Sequence, residues 1–81
     1  VVNSGWVLRM SDAAQRLLSE NLGKLILVKL RGNKLLRGVL RSFDQHLNIV
    51  LEDAEEILEN ESRKLGVVVV RGENIIFMSP V

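Results

Sequence analysis

Two short runs constrain this chain more than any other feature: Val67-Val68-Val69-Val70 and Ile75-Ile76-Phe77-Met78, apolar at every position. β-branched and aromatic residues favour extended backbone, and successive side chains of a strand point to opposite faces. Each run therefore offers an apolar surface on both sides. A sheet with one face on its own core alternates apolar with polar residues instead. With 81 residues the chain forms one domain, and its core alone gives only marginal stability. Two arrangements accommodate such strands. One is a fully enclosed barrel; the other is edge-to-edge pairing with neighbouring copies, which completes both sheet and core. Self-assembly is the favoured expectation, because one short helix can neither cover both faces nor protect the edges.

The rest of the pattern fits that picture. Residues 1–10 read as a flexible lead-in and 11–81 as the folded domain. Ser11-Asp12 is a helix start, with Ala14, Leu17, Leu18 and Leu22 at helical spacing, and Gly23 is placed to cap its end. From Lys24 the residues favour strands, at about 24–31, 34–43, 46–54, 65–71 and 75–79. Gly32-Asn33 suits a tight hairpin turn because both residues tolerate positive φ. Gly38, inside the second strand, predicts a bend or bulge. The charged segment Ala54 to Lys64 reads as a loop, and Pro80 closes the last strand. The fold class is mainly β with one N-terminal helix: a five-stranded, strongly bent antiparallel sheet approaching a small open barrel.

Charge and composition narrow the function classes. Eleven Lys and Arg against ten Asp and Glu leave a net charge of +1. Broad cationic binding of duplex DNA needs many phosphate neutralisations, so it is excluded. Nucleic-acid binding here must be local and base-directed, or repeated over several copies. There is no cysteine, hence no disulfide or thiolate metal site, which fits a cytoplasmic protein. No apolar run is long enough to cross a bilayer, and VVNSGWVLRM lacks the pattern of a secretory signal. A single histidine with scattered carboxylates has no metal-ligand spacing, and no serine stands in a marked relation to it. No cofactor, metal or catalytic residue is therefore expected.

The polar residues that remain are concentrated in FDQHLNIVLEDA, Phe43 to Ala54. Read as a strand, it sends Leu47, Ile49 and Leu51 with Phe43 toward the core and Asp44, His46 and Asn48 to the other side. Arg71-Gly72 follows the valine strand, at a turn that two-strand geometry can bring to the same end. Such a set suits an unpaired pyrimidine. His46 offers a ring for stacking and Arg71 a planar cation for the other face. The Asn48 amide carries a donor and an acceptor side by side, matching the edge of uracil, and a flipped amide would match cytosine. Asp44, which only accepts, is the candidate for fixing that amide. Backbone N–H groups of Gly72 and Glu73 could take a remaining carbonyl. The residues alone leave two readings open, a base pocket or a structural turn network.

LRGNKLLRGVLRSFDQHLNIVLEDAEEI followed by VVVVRGENIIFMSP resembles the two motifs of the Sm and Sm-like RNA-binding proteins, and is most like their archaeal members. The resemblance runs from about Ser11 to the end. D-x-H-x-N after a glycine-containing strand, paired with R-G in the penultimate strand, is specific in this order and separation. It implies an N-terminal helix capping a five-stranded bent sheet. Subunits would join through their fourth and fifth strands into a ring, usually heptameric in archaeal members and hexameric in bacterial relatives. It also implies uridine-rich single-stranded RNA at the inner rim, in an RNA-metabolism, ribonucleoprotein-core or chaperone role. By resemblance His46 and Arg71 stack on the base, Asn48 reads its edge, Asp44 orients Asn48, and the Gly72–Glu73 backbone adds a contact. This chain departs from the family pattern at Asn33, often a second glycine, at Leu36, often aromatic, and at Glu73, often Asp or Asn. Trp6 and the lead-in have no clear counterpart. The competing class is an oligomeric scaffold for protein partners.

Overall fold

The computed structural model describes residues 12–81. Among them are one helix, α1 (residues 12–20), and five strands: β1 (Leu25–Leu30), β2 (Lys34–Phe43), β3 (Ile49–Ile57), β4 (Ser62–Val70) and β5 (Ile75–Pro80). A 3₁₀ turn, Gly72–Asn74, joins β4 to β5. All neighbouring strands are antiparallel, in the order β4-β3-β2-β1-β5. The expected lead-in and Trp6 lie outside the described residues.

The core follows from period-two patterning interrupted at two points. Ile26 and Val28 of β1 are buried, as are Leu36 and Leu40 of β2 and Ile49 and Leu51 of β3. In β3 the buried set then changes phase to Ala54 and Glu56. The switch coincides with shifted β3–β4 register between Leu51 and Ala54 and with Asp53 at φ 50°, the mark of a bulge that bends the strand. Gly38 lies where the β2–β3 register shifts. A Cβ there would meet the Ala54 Cα at 3.1 Å and the Glu52 carbonyl oxygen at 3.2 Å, so glycine lets the two strands close tightly at the bend. Gly32 and Asn33 form the β1–β2 turn at φ 80° and 63°, as expected.

The helix differs from its expected packing. Leu18 is buried, but Leu17 and Leu22 are exposed. α1 stops at residue 20, and bonds from Asn21 N–H to the Leu18 carbonyl and Leu22 N–H to the Ser19 carbonyl tighten its end, which rotates Leu22 off the helical stripe. Gly23, at φ 79°, then turns the chain so that its N–H reaches the Leu40 carbonyl at 2.8 Å. The helix end is thus fastened to the middle of the sheet.

A second difference concerns the charged segment expected to be a loop. Only residues 58–61 connect β3 to β4; Ala54–Ile57 and Ser62–Lys64 belong to strands. Cross-strand ion pairs make the charges compatible with pairing. Glu56, 8% exposed, lies opposite Arg63 and accepts from its guanidinium at 2.6 Å. Glu55 pairs with Arg37 of β2. The strand edges behave as the valine runs require. On β4, Val67 and Val69 are 68% and 70% exposed, and on β5 Ile76 and Phe77 are 60% and 50% exposed. Among the described residues, the apolar runs thus lie exposed on the two edge strands of the sheet.

Candidate nucleic-acid interface

The residues singled out between Asp44 and Asn48 form a loop rather than the start of a strand, since β3 begins only at Ile49. Leu47 takes φ 63°, so strict alternation from Phe43 fails there. What groups the polar side chains is Asp44 acting as a hub. Its Oδ1 accepts from the N–H of His46 at 2.8 Å and of Asn48 at 3.0 Å, and its Oδ2 accepts from Asn48 Nδ2 at 3.0 Å. The main chain closes the same loop through Asp44 N–H to the Asn48 carbonyl and Leu47 N–H to the Asp44 carbonyl. An Asx-type turn of this kind is the local alternative that Asp offers the backbone. The Asn48 amide, followed by the His46 and Asn48 N–H groups, holds the Asp44 carboxyl below its usual range, even though the group is open to solvent.

The second half of the site arrives from the β4–β5 connection. Ile49 is paired with Val70, which carries Arg71 and Gly72 toward the Asp44–Asn48 loop. Gly72 N–H donates to Asn48 Oδ1 at 2.8 Å. The approach requires glycine for reasons of space. A Cβ on Gly72 would fall 2.3 Å from the His46 carbonyl oxygen and 2.9 Å from the Leu47 carbonyl carbon. The Arg71 side chain is exposed, with Nε 3.3 Å from Glu73 Oε1.

These contacts fix the amide. A carboxylate only accepts and a backbone N–H only donates, so Asn48 must turn Nδ2 to Asp44 and Oδ1 to Gly72. One N–H and one lone pair of Asn48 remain. The Gly72 N–H, expected as a ligand donor, is instead consumed by Asn48. The Glu73 carboxylate faces Arg71, and its carbonyl accepts from Arg31 Nε at 3.0 Å.

Arg31 was missed by sequence reasoning. It comes from the β1–β2 turn, 42 residues before Glu73, and nothing in local patterning pairs the two. The steric need for Gly72 was likewise not visible, although R-G after an apolar strand marked the position. A concavity of about 290 Å³ lies elsewhere, at the β3–β4 bulge between Asp53, Glu55, Lys64 and Gly66. It contains none of the loop residues. Among the described residues no cluster of His, Cys, Asp or Glu suits a metal ion, and no helix is long and apolar enough to cross a membrane.

The family model described as the LSM domain matches residues 16–80. A relative from Methanococcoides burtonii, named "Putative snRNP Sm-like protein", is 43% identical over 72 residues, covering 88% of this chain and all of the relative. A solved heptameric archaeal Sm protein is 56% identical and superposes with a TM-score of 0.79, over 82% of this chain and 97% of that one. The Sm protein of Pyrococcus abyssii, solved in complex with a uridine heptamer, is 38% identical with a TM-score of 0.78, over 83% and 96%.

Proposed function

This chain belongs to the LSM domain family, and on that premise we propose that it assembles into a homo-oligomeric ring, most simply a heptamer, that binds uridine-rich single-stranded RNA at its inner rim. The observation that carries the reading is the doubly constrained amide of Asn48. Its remaining N–H and lone pair offer a donor and an acceptor, and uracil presents the complement, O4 and N3–H. Cytosine and adenine present an amino group and an unprotonated ring nitrogen in that place, so each would set donor against donor and acceptor against acceptor. Guanine offers the same pair as uracil, so its exclusion depends on the width of the slot between His46 and Arg71. In this reading those two side chains stack on the base, Asp44 holds Asn48, and Gly72 and Glu73 shape the wall. The uridine heptamer bound by the Pyrococcus abyssii protein supports the ligand class.

The ring reading rests on the two apolar edges. β4 of one copy pairs with β5 of the next, which covers Val67, Val69, Ile76 and Phe77. Repetition also answers the charge problem, because Arg71 recurs around a pore although each chain carries only +1. Each site is weak, and a tract gains affinity because later contacts are effectively intramolecular. The role is binding in RNA metabolism, as a ribonucleoprotein core or chaperone, with no catalytic step and a cytoplasmic setting.

Native mass spectrometry with oligo-uridine, oligo-cytidine, oligo-adenine and oligo-guanine tests the reading. Intact rings should retain oligo-uridine selectively, and Asn48→Ala should abolish the selectivity without changing ring mass. A ring that treats oligo-uridine and oligo-cytidine alike would favour a protein scaffold instead.

A further inference from the structure

We infer that Arg31 is a positioning residue for the base pocket, holding the 3₁₀ turn that presses Gly72 against Asn48. The inference rests on the uridine-binding reading above and adds a residue outside the D-x-H-x-N and R-G sequences that supply the pocket. Arg31 makes two contacts to successive carbonyls of that turn. Its Nε donates to the Glu73 oxygen at 3.0 Å and its main-chain N–H to the Asn74 oxygen at 2.9 Å. The turn spans three residues, Gly72–Asn74, and none of them is buried. Its internal bonds, Asn74 N–H to the Arg71 carbonyl at 3.0 Å and Ile75 N–H to the Gly72 carbonyl, hold its shape but not its place on the sheet. With no apolar anchor of its own, its placement depends on bonds to neighbouring elements.

Those bonds form a chain leading to the reading edge. Arg31 fixes the Glu73 carbonyl, the peptide two units earlier in the same turn carries the Gly72 N–H, and that N–H fixes Asn48 Oδ1 at 2.8 Å. The same turn carries the Glu73 carboxylate, which lies against Arg71. Displacing it therefore disturbs the amide that selects the base and the guanidinium that stacks on it. Arg31 suits the task because Nε–H lies in a rigid planar group whose direction the stem sets. Its neighbours Gly32 and Asn33, both at positive φ, turn the strand so that this residue stands at the corner of β1. Three connections, β1–β2, β2–β3 and β4–β5, thus meet at one place, with Arg31 as the contact from the first.

The test uses Arg31→Met, which keeps the stem and main-chain N–H but removes the side-chain donor. Binding of uridine and cytidine nucleosides, which carry no phosphate, is followed on intact rings by NMR, together with exchange of the Gly72 amide. Loss of one net hydrogen bond predicts about five-fold weaker uridine binding, with a smaller uridine-to-cytidine ratio and faster Gly72 exchange. Arg31→Lys, whose ammonium can donate to the Glu73 carbonyl but without the fixed Nε–H direction, should recover part of the affinity. Unchanged nucleoside binding would overturn the inference. So would a loss confined to oligo-uridine with a shallower salt dependence, since that marks a direct phosphate contact. Asn48→Ala is the control for the underlying reading. If wild-type rings do not prefer uridine, or Asn48→Ala leaves the preference intact, the base pocket itself fails and Arg31's role with it.

Discussion

Replacing Gly72 by alanine separates a steric requirement from a conformational one. The added Cβ would sit 2.3 Å from the His46 carbonyl oxygen and under 3 Å from two Leu47 backbone atoms. All three are backbone atoms, so relief requires moving one loop away from the other. Overpacking of this kind costs about 1–3 kcal/mol, and losing the Gly72 N–H bond to Asn48 Oδ1 adds about 1 kcal/mol. The folded chain should lose roughly 2–4 kcal/mol, and the binding loss should follow the second term. One broken hydrogen bond weakens a single uridine about five-fold. A tract occupying three sites compounds this to roughly a hundred-fold. Gly23→Ala is the matched control. Nothing lies within 4 Å of its Cβ, but φ is 79°, so it costs about 1–2 kcal/mol from left-handed backbone alone. Denaturant melting at one fixed protein concentration and fluorescence anisotropy with oligo-uridine report the two effects. Gly23→Ala should lower stability and leave oligo-uridine affinity unchanged, whereas Gly72→Ala should lower both. If Gly72→Ala binds oligo-uridine like wild type, the close approach of Arg71-Gly72 to the His46 loop does not form the site.

The remaining predictions concern titration and assembly. The Asn48 amide is the largest influence holding the Asp44 carboxyl below its ordinary value of 3.8. A carboxyl lowered on folding contributes stability that is complete above 3.8 and is lost as pH falls through the folded value. The Asp44 side-chain carbon resonance should therefore titrate with a midpoint below the ordinary 3.8, and Asn48→Ala should move it upward; a native midpoint at or above that ordinary value would contradict the hub. At the sheet edge, Val67→Glu with Val69→Glu places charges on side chains 68% and 70% exposed in the single chain. Monomer stability should change by less than about 1 kcal/mol, while sedimentation should show the ring dissociating. A double variant that still sediments as a ring would remove β4 from the interface.

Most of the fold was readable because its signals are local. Gly32-Asn33 adopted the left-handed turn, Gly38 sits at a bulge, and the all-apolar runs lie on the two edge strands. The misread parts were decided by partners distant in sequence. Glu55 and Glu56 look like loop residues until Arg37 and Arg63 lie across from them. Leu22 belongs to a helical stripe only if the helix continues, and the Gly23 bond to Leu40 ends it sooner. The site shows the same division. Asp44, His46 and Asn48 stand together as expected, but through an Asx-type turn and a positive φ at Leu47 rather than through strand alternation. Arg71-Gly72 was expected opposite them; that Gly72 would spend its N–H on Asn48 depended on a close approach no spacing encodes.

The segment 71–74 carries the deepest consequence of that close approach. It contributes one wall of the proposed pocket, and it also joins the two edge strands, whose exposed apolar side chains have no strand beside them among the described residues. Val69 lies two residues before Arg71 and Ile76 three residues after Glu73. If neighbouring copies pair with these edges, they fix both ends of a short turn that has no buried residue of its own. Ordering that a single chain would bear entirely at binding is then completed during assembly, which raises the fraction of sites competent for a base. Linkage makes the effect reciprocal: a ligand that prefers the ordered turn must also favour the ring. Single uridine, which cannot bridge two copies, should therefore shift a dissociating edge variant such as Val69→Glu back toward the ring. Sedimentation with and without saturating uridine would show it. A ring population indifferent to the nucleoside would mean that turn and interface are ordered independently.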